Sequence, residues 1–205
     1  MAARAYNSQL RTLTSQQTRD AILSAAEELL GSFGYAKTTI DQIARRAGVA
    51  TNTVYTNVGG KHEVFLALLA RGSDAEVLDE TLDRIDATDD GAAAIALVAF
   101  AYRSSFETAG AVLSVLEEAS RHDASIAAAV ADSERLYRGR LDRVGAHLRA
   151  SGALKPSLDE REVSDVLWFY FGFTAWPQLR ELGWEPERVE SWLAARATEA
   201  LIHKS

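Results

Sequence analysis

Only three prolines, at positions 156, 177 and 186, interrupt this chain of 205 residues. Runs of β-branched residues are rare, while Ala, Leu, Arg and Glu abound. That balance favours helix nearly everywhere. No Asn-Gly or Asp-Gly pair lies between alternating apolar residues, so hairpins are not expected either. The chain is expected to be all-α. Its hydrophobic (47%) and charged (25%) fractions are those of an ordinary globular protein. One or two compact units suit this length. There is no cysteine, which excludes disulfides, thiolate zinc sites, iron–sulfur clusters and thiol nucleophiles together. Four histidines are too few for a histidine-rich metal centre, so neither metal nor cofactor is expected.

The first fifteen residues, MAARAYNSQLRTLTS, contain no apolar core of a secretory signal. The longest apolar stretch, Ala92 to Tyr102, is far shorter than the roughly 20 residues of a membrane span. A soluble, cytoplasmic chain without a membrane partner is expected. The net charge of -7 is unevenly spread. Residues 1–62 carry seven basic and four acidic residues, a net +3, whereas the remainder carries fifteen basic and twenty-five acidic, a net -10. A basic head on an acidic body points to two separate tasks.

Residues 1–13 are polar and are expected to fray. A first helix is predicted from Thr14, where Thr14-Ser-Gln-Gln17 has capping-box spacing, to Phe33, with Gly34 as its stop. Ile22, Ala26, Leu29 or Leu30, and Phe33 form its apolar stripe. Thr39-Ile-Asp-Gln42 is a second capping box. It opens a short helix with Ile40, Ile43 and Ala44 on one face, ended by Gly48. A third helix fits Thr51 to Asn57, closed by Val58-Gly59-Gly60. A fourth starts at Lys61 and runs to about Arg84, with Gly72-Ser73 as a candidate bend. Longer helices follow over 90–108, 109–120 and 123–151. In the last of these Ile126, Val130, Leu136 or Tyr137, Leu141, Val144 and Leu148 face inward. A further helix over 157–182 carries Pro177 inside it, which predicts a kink or local break. Pro186 opens the final helix, which ends near Ile202.

Three short helices with a Gly turn between the second and third make a helix-turn-helix pattern. Gly48 accepts positive φ without steric cost, and Val49 fills the angle between the helices. The third helix shows Thr51, Asn52, Thr53, Tyr55, Thr56 and Asn57, with only Val54 and Val58 facing inward. Such hydroxyls and amides suit phosphate oxygens and base edges in the major groove. An ordinary polar connector helix would have the same composition.

The run Thr38-Thr39-Ile40-x-x-Ile43-Ala44-x-x-Ala47-Gly48-Val49, then Thr53-Val54-Tyr55, then Lys61-x-x-Val64-Phe65, resembles the DNA-binding region of the TetR family of bacterial transcriptional regulators. The resemblance runs from about Arg19 to Leu69, and beyond it only the helical architecture is similar. It implies a helix-turn-helix DNA-binding domain over 1–62 and a helical ligand-binding and dimerisation domain over 63–205. It also implies a cytoplasmic homodimeric repressor of double-stranded operator DNA, released by a small-molecule effector, and no enzyme activity. By position, Thr39 resembles the residue that caps the second helix and touches phosphate. Thr51, Asn52 and Thr53 sit where the family reads bases and backbone. Tyr55 and Lys61 resemble its phosphate-contacting tyrosine and lysine. Thr38, Thr56 and Asn57 complete the DNA-facing set. Five positions depart from the pattern, among them Val58, where Phe is often found. Ala50 stands where a capping Ser is usual and Asn57 where His or Tyr is frequent. The pair Gly59-Gly60 replaces a more polar turn and is expected to loosen the start of the fourth helix.

In the acidic body, Phe100, Arg103, Phe106, Tyr137, Trp168 and Phe171 are the candidate effector-binding residues, with Tyr102 and Phe169 beside them. Pockets combine apolar walls with few polar anchors, and Arg103 suits a carboxylate or an aromatic ring. Aromatics at helical spacing also build plain core, and Arg103 can equally pair with Glu107. Aromatics around much of the 157–182 helix imply cover on more than one side. Val166, Tyr170, Phe173, Pro177, Trp192 and Ala197 on the last two helices are the candidate dimer contacts. Three other readings stay open at this point. One is an activator in place of a repressor, and another a helix-turn-helix protein acting through protein partners. The third is a helical-bundle enzyme, which the absence of Glu-x-x-His pairs, a P-loop or a nucleophile elbow opposes.

Overall fold

The computed structural model describes the backbone of residues 2–72 and 75–203, and the side chains of 14–71 and 78–203. The described residues form eleven helices and no strand, with one isolated antiparallel bridge between Leu154 and Ile202. In chain order they are α1 (Ala2–Lys37), α2 (Ile40–Ala47), α3 (Thr51–Asn57), α4 (Lys61–Gly72), α5 (Ala75–Asp86), α6 (Gly91–Leu113), α7 (Leu116–His122), α8 (Ala124–Ala150), α9 (Glu160–Phe171), α10 (Ala175–Glu181) and α11 (Pro186–Leu201). They fall into two compact units, Met1–Gly72 with Ala109–Val130 and Ser73–Thr108 with Ala131–Ser205.

In the first unit, helical backbone runs back to Ala2, ahead of the expected start at Thr14. No Gly or Pro occurs between Ala2 and Leu30 to stop it. The expected capping box at Thr14 is therefore absent, and the Thr14 carbonyl instead accepts the Thr18 hydroxyl at 2.8 Å. Gly34 does break α1, with φ 78° and ψ 174°. The break turns Phe33 outward, against expectation, and Tyr35 takes the inward place, its ring edge-on to Phe65 at 5.3 Å. Of the two leucines left open, Leu30 is the buried one. Ile22, Ala26, Leu30, Ile43, Ala44, Val54, Val64, Phe65 and Leu68 close the core of this unit. α7 and the first turns of α8 complete it. Asp123 caps α8 by accepting the N–H groups of Ser125 (2.9 Å) and Ile126 (3.3 Å).

The helices expected over 90–108 and 109–120 divide elsewhere, because α6 runs through Gly110 to Leu113. A mid-helix glycine costs only about 1 kcal/mol, which burial of Ala109 and Val112 offsets. The helix expected from Lys61 to about Arg84 is described as α4 and α5. Residues 73 and 74 between them lie outside the described residues, and so does the expected bend at Gly72-Ser73.

In the second unit, the predicted irregularity at Pro177 falls just upstream of it. α9 ends at Phe171, Gly172 is extended, and Pro177 sits in the first turn of α10, where no N–H is needed. A proline excludes a helical carbonyl four residues back, here that of Phe173. α9 opens on a capping box of Asp159 and Glu162. Tyr137 is turned inward and Leu136 outward. Ala197 is fully buried between Val189, Leu193 and Leu201 along α11, so it is a core residue of its own chain and not the dimer contact expected. A small side chain on the inner face of α11 packs where a larger one would not fit.

Candidate nucleic-acid interface and effector cavity

The capping box expected at the start of α2 is present. The Thr39 hydroxyl accepts the Gln42 N–H at 3.3 Å, and the Gln42 side chain accepts the Thr39 N–H at 2.8 Å. α2 stops at Gly48, in the left-handed region at φ 70°, with the Val49 N–H returning to the Ala44 carbonyl at 3.0 Å. α3 follows after three residues, Gly48, Val49 and Ala50. Its fully buried Val54 is the one residue that roots it in the unit's core. Seven residues cannot sustain a helix unaided, so this single anchor fixes which side α3 turns outward. Ala50 supplies no side-chain cap. Thr51 does not take over that task, because its hydroxyl donates to Asp41 at 2.9 Å and so ties α3 to α2.

The nine expected DNA-facing residues separate by what their polar groups already do. Asn52, Thr53 and Tyr55 make no side-chain hydrogen bond among the described residues, and Tyr55 is 54% exposed. Their donors and acceptors are available. Thr56 bonds back to the Asn52 carbonyl at 3.0 Å. Asn57 closes α3 by donating to the Thr53 carbonyl at 2.8 Å, while its own oxygen accepts from Ser15 at 3.2 Å and its carbonyl from Arg19 at 2.8 Å. Thr38, expected to face DNA, does not: it is buried, 1% exposed, and donates to the Gly34 carbonyl at 2.8 Å. Its hydroxyl satisfies the break in α1 and is not presented to solvent. Of the cations on α2, Arg46 is bound to Glu28 at 2.6 Å, whereas Arg45 stays exposed.

Lys61, first residue of α4, is half-buried. Its Nζ donates to the Ala36 carbonyl at 3.3 Å and stands 4.1 Å over the Tyr35 ring. Burial lowers its pKa, and the Glu118 carboxylate opposes that shift. The Gly59-Gly60 turn is not loose, because Glu63 accepts the Gly60 N–H at 2.8 Å. Glu118, on α7, has its pKa lowered first by the Ala36 N–H and then by the Tyr35 N–H. Its folded pKa lies below the unfolded one. The contribution is therefore present at neutral pH and is lost only as pH falls through the lowered folded value. Asp41, Ser15, Arg19 and Glu118 have no local signal in the sequence, because each acts through a partner ten or more positions away.

In the second unit a small apolar cavity of about 30 Å³, room for about one water molecule, lies among α5, α6 and α8. Leu78, Thr81, Leu82, Ile85, Val98, Ala101, Tyr102, Tyr137, Arg140, Leu141 and Val144 line it. Of the six expected effector residues only Tyr137 does so, with Tyr102 beside it. Burial raises the pKa of both phenols, so both are neutral donors at physiological pH. Phe106 and Phe171 are buried in an aromatic core with Tyr102 and Trp176, and Phe106 stacks on Trp176 at 5.5 Å. Trp168 packs against Tyr137 and Phe173, under the Arg138 guanidinium at 3.7 Å. Phe100 is exposed. Arg103 is engaged by Glu190 (2.6 Å), Glu187 (3.2 Å) and Glu107 (3.4 Å), so three carboxylates already hold the anion site it was expected to offer. Arg140, Thr81 and Leu78 line the cavity without having been expected there. Among the dimer candidates, Val166, Tyr170, Phe173 and Pro177 are half-buried and Trp192 is exposed. Among the described residues no three His, Asp or Glu side chains converge as for a metal ion, and no helix is long and apolar enough to cross a membrane.

The family model for bacterial regulatory proteins of the tetR family matches residues 22–68. The HTH-type transcriptional regulator SrpR of Pseudomonas putida is 42% identical over 69 residues, 34% of this chain and 32% of that protein. The uncharacterized HTH-type transcriptional regulator TtgW, also of Pseudomonas putida, is 42% identical over 69 residues, 34% of this chain and 52% of that protein. The matched stretch thus spans a third to a half of these relatives' lengths. Over most of the chain the fold is similar to that of the SmeT–triclosan complex, with TM-score 0.73 and 20% identity, covering 92% of this chain and 93% of that one.

Proposed function

We propose that the chain, whose residues 22–68 match the tetR family of bacterial regulatory proteins, is a cytoplasmic, homodimeric repressor that binds a pseudo-palindromic operator and leaves it when a small apolar or aromatic effector binds. The family is one of regulators, not of enzymes. The observation that carries the reading is the split on α3: Val54 is fully buried, while Asn52 and Tyr55 are exposed and, with half-buried Thr53, make no side-chain hydrogen bond among the described residues. A helix so held has one face to offer, and its amide and hydroxyls match base edges and phosphates. Thr39, Thr51, Thr56 and Lys61 flank that face. Two copies, joined through α9, α10 and α11 by Val166, Tyr170, Phe173, Pro177 and Trp192, place two such helices about one DNA turn, roughly 34 Å, apart. For the effector, the similarity to a fold solved with triclosan supports the reading; the apolar cavity beside Tyr137 and Arg140, with room for about one water molecule, has to widen to admit it.

The test sorts residues by role. Tyr55→Phe and Lys61→Ala are expected to weaken binding to all duplexes, and Lys61→Ala to reduce the salt dependence by about one unit of slope. Asn52→Ala and Thr51→Ala are expected to cost about 1–3 kcal/mol at particular base pairs and to relax the preference there. Fluorescence-anisotropy titrations against selected and scrambled duplexes separate the two patterns. Equal effects of all four substitutions on both duplexes would refute the assignment.

A further inference from the structure

The break at Gly34 leaves the turn after it without carbonyls to receive its first N–H groups. Two of these, on Tyr35 and Ala36, donate to a single carboxylate. Tyr35 N–H reaches Oε2 of Glu118 at 3.0 Å, and Ala36 N–H reaches Oε1 at 2.9 Å. The approach is close, because a Cβ at position 34 would stand 2.6 Å from Oε2. Glu118 thus caps, from α7, a turn more than eighty positions away in the chain. The same two residues hold Lys61, the ring of Tyr35 beneath its ammonium and the carbonyl of Ala36 accepting from it. A neighbouring contact repeats the arrangement. Asp123, just after α7, lies 3.3 Å from Nδ1 of His62, the residue next to Lys61.

We infer that Glu118 is a positioning residue for DNA binding: its carboxylate fixes the backbone of Tyr35 and Ala36, and that segment aims Lys61. The inference rests on the proposed reading of Lys61 as a phosphate contact. A carboxylate outside the helix-turn-helix region thereby sets the geometry of a cation inside it. No local pattern in the sequence marks Glu118 for this, and its neighbours Glu117 and Arg121 form an ordinary exposed pair one turn apart.

The test uses the full chain and a duplex that the wild-type protein selects from a randomised pool. Glu118→Gln keeps the shape but loses one acceptor and turns an NH₂ toward a backbone donor. Glu118→Asp keeps the charge and draws it back by one methylene. Both are expected to lower affinity several-fold and to reduce the slope of log K against log salt by about one, as Lys61→Ala does. The double variant Glu118→Gln with Lys61→Ala is expected to bind no more weakly than Lys61→Ala alone. Amide exchange of Tyr35 and Ala36 is expected to quicken in both Glu118 variants. Unchanged affinity in both Glu118 variants, or a Glu118→Gln loss that adds in full to Lys61→Ala, overturns the inference while leaving the reading of Lys61 intact. A Lys61→Ala protein that binds like the wild type, or a wild-type protein that selects no duplex, overturns both.

Discussion

Phe171→Ala is expected to destabilise the protein by about 3–5 kcal/mol. The ring is fully buried at the end of α9. It meets the edge of Tyr102 at 5.7 Å, and Tyr102 in turn packs on Phe106 at 5.1 Å and on Trp176 at 5.8 Å. The Tyr102 hydroxyl spans the gap between α9 and α10, donating to the Gly172 carbonyl and accepting the Trp176 N–H at 3.1 Å. Removing Phe171 therefore leaves a cavity beside the group that holds the break together. Urea unfolding and thermal denaturation followed by circular dichroism measure the effect, with a fall in Tm of roughly 10 °C for a chain of this size. Phe169→Ala, two residues away but 70% exposed, is expected to stay within about 0.5 kcal/mol of wild type. A Phe171→Ala protein as stable as Phe169→Ala would refute the assignment of this cluster to the core.

Gly34→Ala should be the most damaging small substitution in the first unit. At φ 78° and ψ 174° the backbone lies in a region essentially restricted to glycine. The added Cβ also meets the Glu118 carboxylate. Strain of about 1–3 kcal/mol and weakening of two charge-assisted hydrogen bonds, about 1.5–3 kcal/mol each when fully lost, act together. A loss of about 3 kcal/mol follows, along with a fall in DNA affinity of the size expected of the Glu118 variants. Gly48→Ala is the control. Its φ of 70° is also positive, but nothing lies within 4 Å of the added Cβ, so only the left-handed penalty of about 1–2 kcal/mol applies. Equal stability of the two variants by urea unfolding would show that Glu118 does not crowd Gly34.

The two substitutions bracket what could be read from sequence. α2, α3 and the start of α4 were legible to the residue, because their ends are set by local chemistry: the Thr39–Gln42 box, the left-handed Gly48 and the turn before Lys61. The longer helices were less so. Ala-rich, apolar α6 has no polar stripe to mark where it ends, and Gly110 is too weak a breaker to stop it. The irregularity signalled by Pro177 appeared upstream, since a proline constrains the carbonyl four residues earlier. Site residues followed the same division. That Asn52 and Tyr55 are exposed could be read from sequence, because a short helix with one buried residue leaves its other faces outward. Thr38 and Ala197 were misplaced, because a small side chain carries no sign of whether it lies in or out. Phe106 and Phe171 share the helical spacing of pocket aromatics, but each is covered by a ring from another element, Phe106 by Trp176 and Phe171 by Tyr102. Glu118 is an exposed glutamate by any local criterion, and only the tertiary fold brings it to Gly34.

The most direct test of the account is a titration of the purified wild-type protein against double-stranded DNA over a series of salt concentrations, with stoichiometry measured by sedimentation. Two chains per duplex, and a log K that falls linearly with log salt as phosphate contacts require, are the predicted results. A monomer whose affinity for every fragment is negligible or indifferent to salt would contradict it.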